Sequence, residues 1–265
     1  MENFLKQHSF DAFLPLSAQK LAAEQFHCTF REVEKKALDL GITPLRYKRN
    51  QSTINIAAQK KLFDAQVAII GCGGLGGHIA EILARIGIGR LILFDFDIFE
   101  EHNLNRQNFS DIEQIGKQKV LVVKQALEKI NPATEIKAYV KKFDPYNDFE
   151  LIANADVVVD ALDDPSVKLK LAEICKNNNK HFVHGAIAGT SGQFITNNTL
   201  EKFYRDGKKG IETTVGNPAF SVTFAASVQS TEVVKLILNT GKKLIDQFMM
   251  TDLMEYEFLI VPFEK

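Results

Sequence analysis

The chain contains no tryptophan, and its 20 phenylalanines carry most of the aromatic content, which speaks to core packing and to nothing functional. Only three cysteines occur, Cys28, Cys72 and Cys175. They are far apart and odd in number, which argues against a disulfide framework and for a reduced, cytoplasmic setting. Neither sign of charge is in excess: the net charge is −1 and the isoelectric point about 6.6. No strong field therefore draws the protein to nucleic acid or to anionic lipid. No apolar run approaches the roughly 18–20 residues that span a bilayer. The start, MENFLKQHSFDAFL, lacks the apolar stretch of a signal peptide. Repeats and low-complexity tracts are also absent.

What is present is a 265-residue chain, 45% hydrophobic, enough for one large domain or one domain with a small appendage. Residues 1–43 read as a helical extension, with helices predicted over Ser17–Phe26 and Thr29–Leu40, the second ended by Gly41. The segment LAAEQFHCTFREVEKKALDLGI resembles a helix-turn-helix in outline. Short patterns match by chance, and the neutral charge favours a packing or dimer-arm extension.

Residues 44–265 read as one domain in which strands and helices alternate from Gln66 onward. Val67–Ile70 and Arg90–Phe94 are short, wholly apolar runs, as buried parallel strands are. Helices are predicted over His78–Ile86, Gln118–Ile130, Phe149–Asn154, Val167–Asn177 and Pro218–Leu238. Further strands are predicted over Glu135–Lys142, Asp156–Leu162, His181–Ile187 and Gly192–Thr196, with a final pair over Phe248–Leu253 and Tyr256–Val261. Asn197–Gly216 is polar and reads as a mobile loop. The fold class expected is α/β: a doubly wound, Rossmann-like, mostly parallel sheet with C-terminal antiparallel strands and the small N-terminal helical extension.

Gly71, Gly73 and Gly76 form G-x-G-x-x-G between a strand and a helix, with Gly74 inside the same loop. Glycines let the backbone turn sharply and approach a pyrophosphate, and the helix end offers N–H groups and partial positive charge. Asp95 follows Gly76 by 19 residues, at the end of the next strand, where an acid hydrogen-bonds a ribose. Asp97 either helps hold a metal or faces solvent. Arg106 and Lys119 discriminate between nucleotides. NAD is bound and not cleaved, whereas attack on an α-phosphate needs cations fixed around the reacting oxygens. Lys119 sits in a helical first turn, where the dipole disfavours a cation, which favours a functional role more than for an ordinary first-turn lysine. Asp163 ends an apolar strand, where a carboxylate facing a triphosphate coordinates Mg²⁺; either Asp163 or Asp164 also suits an N-cap.

An ordered set of motifs carries a family resemblance: RYKRN at 46–50, GCGGLGG at 71–77, LFDFD at 93–97, NLNRQ at 103–107, IGKQKV at 115–120, DALDD at 160–164, and GNPAFSVTFAASVQSTEVVKLIL at 216–238. Over residues 44–265 the chain resembles the ThiF/MoeB/HesA family, prokaryotic relatives of ubiquitin-activating enzymes. The resemblance implies a homodimeric, ATP- and Mg²⁺-dependent adenylyltransferase. Its partner would be a small ubiquitin-like sulfur-carrier protein, activated at the carboxylate of a C-terminal Gly-Gly. It implies that Asp95 holds the ribose, that Arg106 and Lys119 hold phosphates and that Asp163 holds Mg²⁺. Asn103, Asn105 and Gln107 would line the nucleotide site, and Arg49 would reach into the partner subunit's site.

Four departures qualify the resemblance. Many members carry two C-x-x-C pairs for zinc, and this chain has none. No cysteine follows Cys175, so adenylation without a covalent cysteine intermediate is expected. The family's T-D-N reads Leu162-Asp163-Asp164, and its R-Q reads Arg49-Asn50. His184 reads as a structural strand histidine near the pocket, because a carboxylate substrate is already ionised and needs no strong base. Alternative readings are activation of a small-molecule or peptide carboxylate, an NAD(P)-binding oxidoreductase, and a non-catalytic protein that keeps ATP as a structural ligand.

Overall fold

The apolar runs of the sequence form the middle of an eight-stranded sheet, covered on both faces. In the computed structural model the described residues are 1–197, 200, 204 and 215–263. The N-terminal part holds α1 (Glu2–Gln7), β1 (Phe13–Leu14), α2 (Leu16–Gln25), α3 (Phe30–Asp39), β2 (Thr43–Pro44), a 3₁₀ turn (Leu45–Asn50) and α4 (Ile56–Asp64). There follow β3 (Gln66–Ile70), α5 (Gly74–Ile86), β4 (Arg90–Asp95), a short 3₁₀ turn (Glu101–Asn103), α6 (Lys119–Ile130), β5 (Glu135–Val140) and α7 (Phe149–Ile152). The remainder comprises β6 (Val157–Asp160), α8 (Pro165–Asn177), β7 (His181–Ala188), β8 (Ser191–Thr196), α9 (Ala219–Leu238), β9 (Gln247–Asp252) and β10 (Glu257–Pro262).

The strand order is β10-β9-β8-β7-β6-β3-β4-β5. From β5 to β7 neighbours are parallel, and from β7 to β10 they are antiparallel. This is the expected class. The chain winds outward from β3 through β4 to β5, then returns to place β6 on the other side of β3. That reversal opens a crevice beyond the carboxyl ends of β3 and β6, where open α/β sheets bind ligands.

Side-chain alternation builds the two faces. Val67 and Ile69 of β3 join Ile79, Leu83, Val123, Leu127 and Val233 on one side. Ala68 and Ile70 join Phe94, Val158, Leu171 and Phe182 on the other. The helix predicted over His78–Ile86 begins earlier, at Gly74, because the last glycines of the loop form its first turn. Helices α1 and α4 escaped the sequence reading: α1 is a single short element, and α4 is announced only by its cap Asn55, whose side chain accepts from Ala58 N–H. The loop expected over Asn197–Gly216 falls mostly on 198–199, 201–203 and 205–214, outside the described residues. No helix among the described residues is long and apolar enough to cross a membrane. Strand β10 is exposed at every residue, Phe258, Leu259 and Ile260 included.

Residues 1–44 have an apolar cluster of their own, centred on Leu5, Leu14, Ala22, Val33 and Ala37. Thr29 and Glu32 close a capping box that starts α3. The joint to the sheet is partly apolar, through Leu38, Phe63 and Ala133, and partly polar. Buried Glu34 accepts from Arg46 and, at 2.9 Å, from the Tyr47 hydroxyl. Arg46 also donates to Gln19 at 2.6 Å, and Asn131 Nδ2 donates to the Tyr47 hydroxyl at 2.8 Å. One carboxylate thus ties α3 to the 3₁₀ turn, and Tyr47 passes the link on to the end of α6. Burial pushes the Glu34 carboxyl up, against the pull of Arg46 and Tyr47. Removing one partner of such a cluster strands the other in low dielectric, so Glu34→Ala is expected to cost about 3–5 kcal/mol. Urea unfolding measures this; a loss below about 0.5 kcal/mol, the range of ordinary surface changes, removes the joint from the stability of the fold.

Candidate functional site

The crevice is floored by the glycine loop. Gly71 follows β3 with φ +100°, and a Cβ there would lie 2.4 Å from the Ala161 carbonyl oxygen. A Cβ on Gly76 would lie 1.8 Å from the Gly71 carbonyl oxygen. No side chain fits at either place, so the loop is drawn tight against both α5 and the β6 turn. Gly73 is the N-cap of the 13-residue helix α5, and no side chain caps it. The first N–H groups of α5 therefore face the crevice with the positive end of the helix dipole.

Asp95 ends β4 and organises this loop. Its Oδ2 accepts from Cys72 N–H at 2.7 Å, and its Oδ1 from Asp97 N–H at 2.8 Å. Burial pushes the carboxyl up, countered by these two bonds and by Lys119. Each oxygen keeps a second lone pair, so ribose hydroxyls still find acceptors. Lys119, the first residue of α6, is buried and its Nζ lies 3.3 Å from Asp97 Oδ2. Asp97, expected to help hold a metal or to face solvent, is exposed and pairs with Lys119. The dipole penalty noted for Lys119 is thereby offset by a carboxylate.

The segment after β4 folds back over the loop. Arg106 donates to the His102 carbonyl at 3.0 Å and to Asn105 Oδ1 at 2.8 Å. Its Cγ would stand 3.8 Å from a Cβ on Gly74, which sets the arginine beside the start of α5. Burial pushes its guanidinium below the ordinary value, yet arginine keeps its charge in proteins. Gln107 stands 3.6 Å from a Cβ on Gly73, and its buried Oε1 has no partner among the described residues. An orphaned acceptor beside a side-chain-free cradle fits a missing polar ligand. Asn103 is buried and caps its own turn, accepting from Glu100 N–H at 3.0 Å. Asn105 is exposed and serves Arg106.

At the end of β6 the two aspartates divide their roles. Asp164 caps α8, accepting from Ser166 N–H at 2.9 Å and Oγ at 2.7 Å. Asp163 is exposed, and among the described residues no hydrogen bond or ion pair engages its carboxylate. That free acid suits a hard, oxygen-seeking cation such as Mg²⁺. Arg49 is not brought to this place. It is exposed on the 3₁₀ turn, whose Tyr47 hydroxyl would meet a Cβ on Gly87 at 2.8 Å. Gly87 is the far cap of α5, and 13 residues of helix set it about 20 Å from the loop. A cavity of about 260 Å³ lined by Arg46, Asn50, Arg85 and Asn131 lies at that far end and shares no residue with the glycine loop.

Sequence reasoning missed the buried cluster below Asp163. Asp160 accepts from Lys168 Nζ at 3.1 Å and from His184 Nδ1 at 2.6 Å. The available signal was an acid within a wholly apolar strand and a lysine eight residues on. His184 is the buried strand histidine expected, though its partner was not foreseen. Of the cysteines, Cys72 points inward and burial pushes its thiol well up, and burial pushes Cys175 up to about 12.

Comparison with known proteins identifies the family and the fold. Residues 47–265 match the ThiF family. The chain is 30% identical over 237 residues to the SAMP-activating enzyme E1 of Haloferax volcanii, covering 85% of this chain and 88% of that protein. It is 31% identical over 218 residues to the molybdopterin-synthase adenylyltransferase of Haemophilus influenzae, covering 78% and 90%. Among solved structures, Escherichia coli MccB with ATP superposes with a TM-score of 0.71 at 26% identity, covering 83% of this chain and 71% of that one. Gly76→Ala forces its Cβ into the Gly71 carbonyl and is expected to weaken ATP binding by about tenfold or more, about 1.4 kcal/mol. Calorimetric titration reads this directly; unchanged affinity means that the loop is a turn and not a phosphate cradle.

Proposed function

The chain belongs to the ThiF family and is an adenylyltransferase, and from that premise we propose that it activates the C-terminal glycine carboxylate of a small ubiquitin-like sulfur-carrier protein. The observation that supports this reading is the pair of cations flanking the loop, Arg106 beside Gly74 and Lys119 paired with Asp97, whose N–H donates to the same Asp95 that accepts from Cys72 N–H. The carrier carboxylate is ionised at neutral pH and attacks the α-phosphate of ATP. A carboxylate–phosphorus bond forms, the bond to the bridging oxygen breaks, and pyrophosphate leaves. Arg106 and Lys119 balance the charge that spreads over the phosphate oxygens. Asp95 accepts from the ribose while fixing the loop. Asp163 would hold Mg²⁺, which supplies charge neutralisation to the phosphates.

Arg49 acts from the second subunit of a homodimer. Its own glycine loop is a helix length away, so only another copy can bring it to the reacting phosphates. The reaction stops at the acyl-adenylate on this chain, with no cysteine ester: Cys72 and Cys175 are buried with raised thiols, Cys28 packs against the N-terminal cluster with its thiol also raised by burial, and no cysteine of the sequence follows Cys175. Zinc has no part, since the C-x-x-C pairs are absent. A second reading, with a peptide carboxylate as acceptor, is favoured by the likeness to MccB, solved with MccA.

Exchange of labelled pyrophosphate into ATP, with Mg²⁺ and Gly-Gly-ended carriers from the same genome, tests the first reading. No exchange with any carrier, but exchange with a peptide, moves the assignment to the second. Arg106→Ala and Lys119→Ala are each expected to slow exchange about 10²–10³-fold; a change under about threefold takes that residue out of the chemistry. Arg49→Ala is expected to be inactive alone and to regain exchange when mixed with inactive Lys119→Ala. Failure of such mixtures, with subunit exchange verified, disproves the shared site.

A further inference from the structure

We propose that Asp160 is a positioning residue that fixes the turn carrying Asp163, with Lys168 and His184 holding Asp160 in place. This rests on the reading of the crevice as a metal–ATP site and extends it to residues that touch neither ligand.

Asp160 is the last residue of β6, paired in register with Ile70 of β3 on one side and His184 of β7 on the other. Its side chain is fully buried. Lys168 Nζ lies 3.3 and 3.1 Å from its two oxygens, and His184 Nδ1 donates at 2.6 Å. The remaining bond is the informative one: Leu162 N–H donates to Asp160 Oδ1 at 3.0 Å and closes the turn. The backbone is pinned at the same place. Gln229 Nε2 donates to the Asp160 carbonyl at 2.9 Å, and Ala161 N–H donates to the Ile70 carbonyl at 3.0 Å. Asp163 is thus the first residue after a fully tied turn, and the Ala161 carbonyl in that turn abuts Gly71 of the phosphate loop.

Stability alone does not call for this arrangement. Well-packed apolar residues of similar volume often replace a buried ion pair without loss, and the neighbouring strand β3 ends on buried, apolar Ile70. What an apolar residue cannot supply is the charged acceptor for Leu162 N–H. The ionised state of Asp160 fixes the rest. Burial raises its carboxyl, but Lys168 and His184 outweigh this and hold it below the usual carboxylate range. A carboxylate has no proton to give, so His184 Nδ1 carries one, and Nε2 accepts from the Tyr204 hydroxyl at 3.4 Å. Burial keeps the imidazole pKa low. Lysine supplies the charge, and histidine supplies direction.

The test uses the full chain with α,β-methylene ATP, which the enzyme cannot cleave, and Mn²⁺ as the metal probe. Electron paramagnetic resonance reads Mn²⁺ affinity in the presence of the analogue, and a separate titration reads analogue affinity without metal. His184→Leu is expected to weaken Mn²⁺ about 10–100-fold, the range for groups that orient metal ligands. Metal-free analogue affinity is expected to change less than about twofold, within the spread of distant surface changes. His184→Asn keeps a donor near the Nδ1 position and is expected to restore most of the metal affinity. Where His184→Leu does not fold, the double substitution Asp160→Leu with Lys168→Met removes both buried charges together with the acceptor for Leu162 N–H, leaves no lone ion, and is expected to give the same selective loss. Equal Mn²⁺ affinity in a folded variant and the parent overturns the inference, as does a parallel loss of metal and nucleotide. A parent chain that binds no metal with the analogue overturns the functional reading first and this inference with it.

Discussion

The close approach of backbone to backbone at the carboxyl ends of β3 and β6 is the constraint from which the site follows. Gly71 lies against the Ala161 carbonyl, and Gly76 lies against Gly71. With no side chains between them, the phosphate loop, the start of α5 and the turn before α8 share one small volume. Hydrogen bonds then fix each wall of it. Asp95 holds the loop through Cys72 and Asp97 N–H, while Asp160 holds the opposite turn through Leu162 N–H. Two acids at the ends of β4 and β6 perform the same mechanical task on either side of β3.

The central sheet was legible because its strands are buried on both faces and so are apolar throughout. Gly71–Gly76 and Asp95 were legible because steric need and hydrogen bonding restrict those positions to few residue types. The pairing of Asp97 with Lys119 was not, since spacing along a chain does not say where a loop of 23 residues folds back. Asp160, Lys168 and His184 come from three elements and have no shared periodicity; only the fold makes them neighbours. The N-terminal region was read as helices without its polar joint, because Glu34 on α3 is an ordinary helix glutamate until Arg46 and Tyr47 are brought to it.

That joint gives the extension a mechanical meaning. The 3₁₀ turn from Leu45 to Asn50 has no ladder of its own to hold it. It is fixed instead by side chains from α2, α3 and the end of α6, through Gln19, Glu34 and Asn131. Arg49 stands on a turn held in part by Gln19 and Glu34, which precede the matched family region. The helical extension therefore helps to fix the turn that carries Arg49, with the apolar cluster around Leu5 and Val33 as its footing.

Strand β10 closes the sheet on the side away from β5, and every one of its residues is exposed. Phe258, Leu259 and Ile260 lie along a ladder whose outer N–H and C=O groups have no partner strand among the described residues. Such a border invites edge-to-edge accretion between molecules in concentrated solution. The flanking acid Glu257 repels a copy of itself at one end, and Pro262 offers no donor at the other. Among the described residues this six-residue hem is an open border of the sheet, guarded at its two corners.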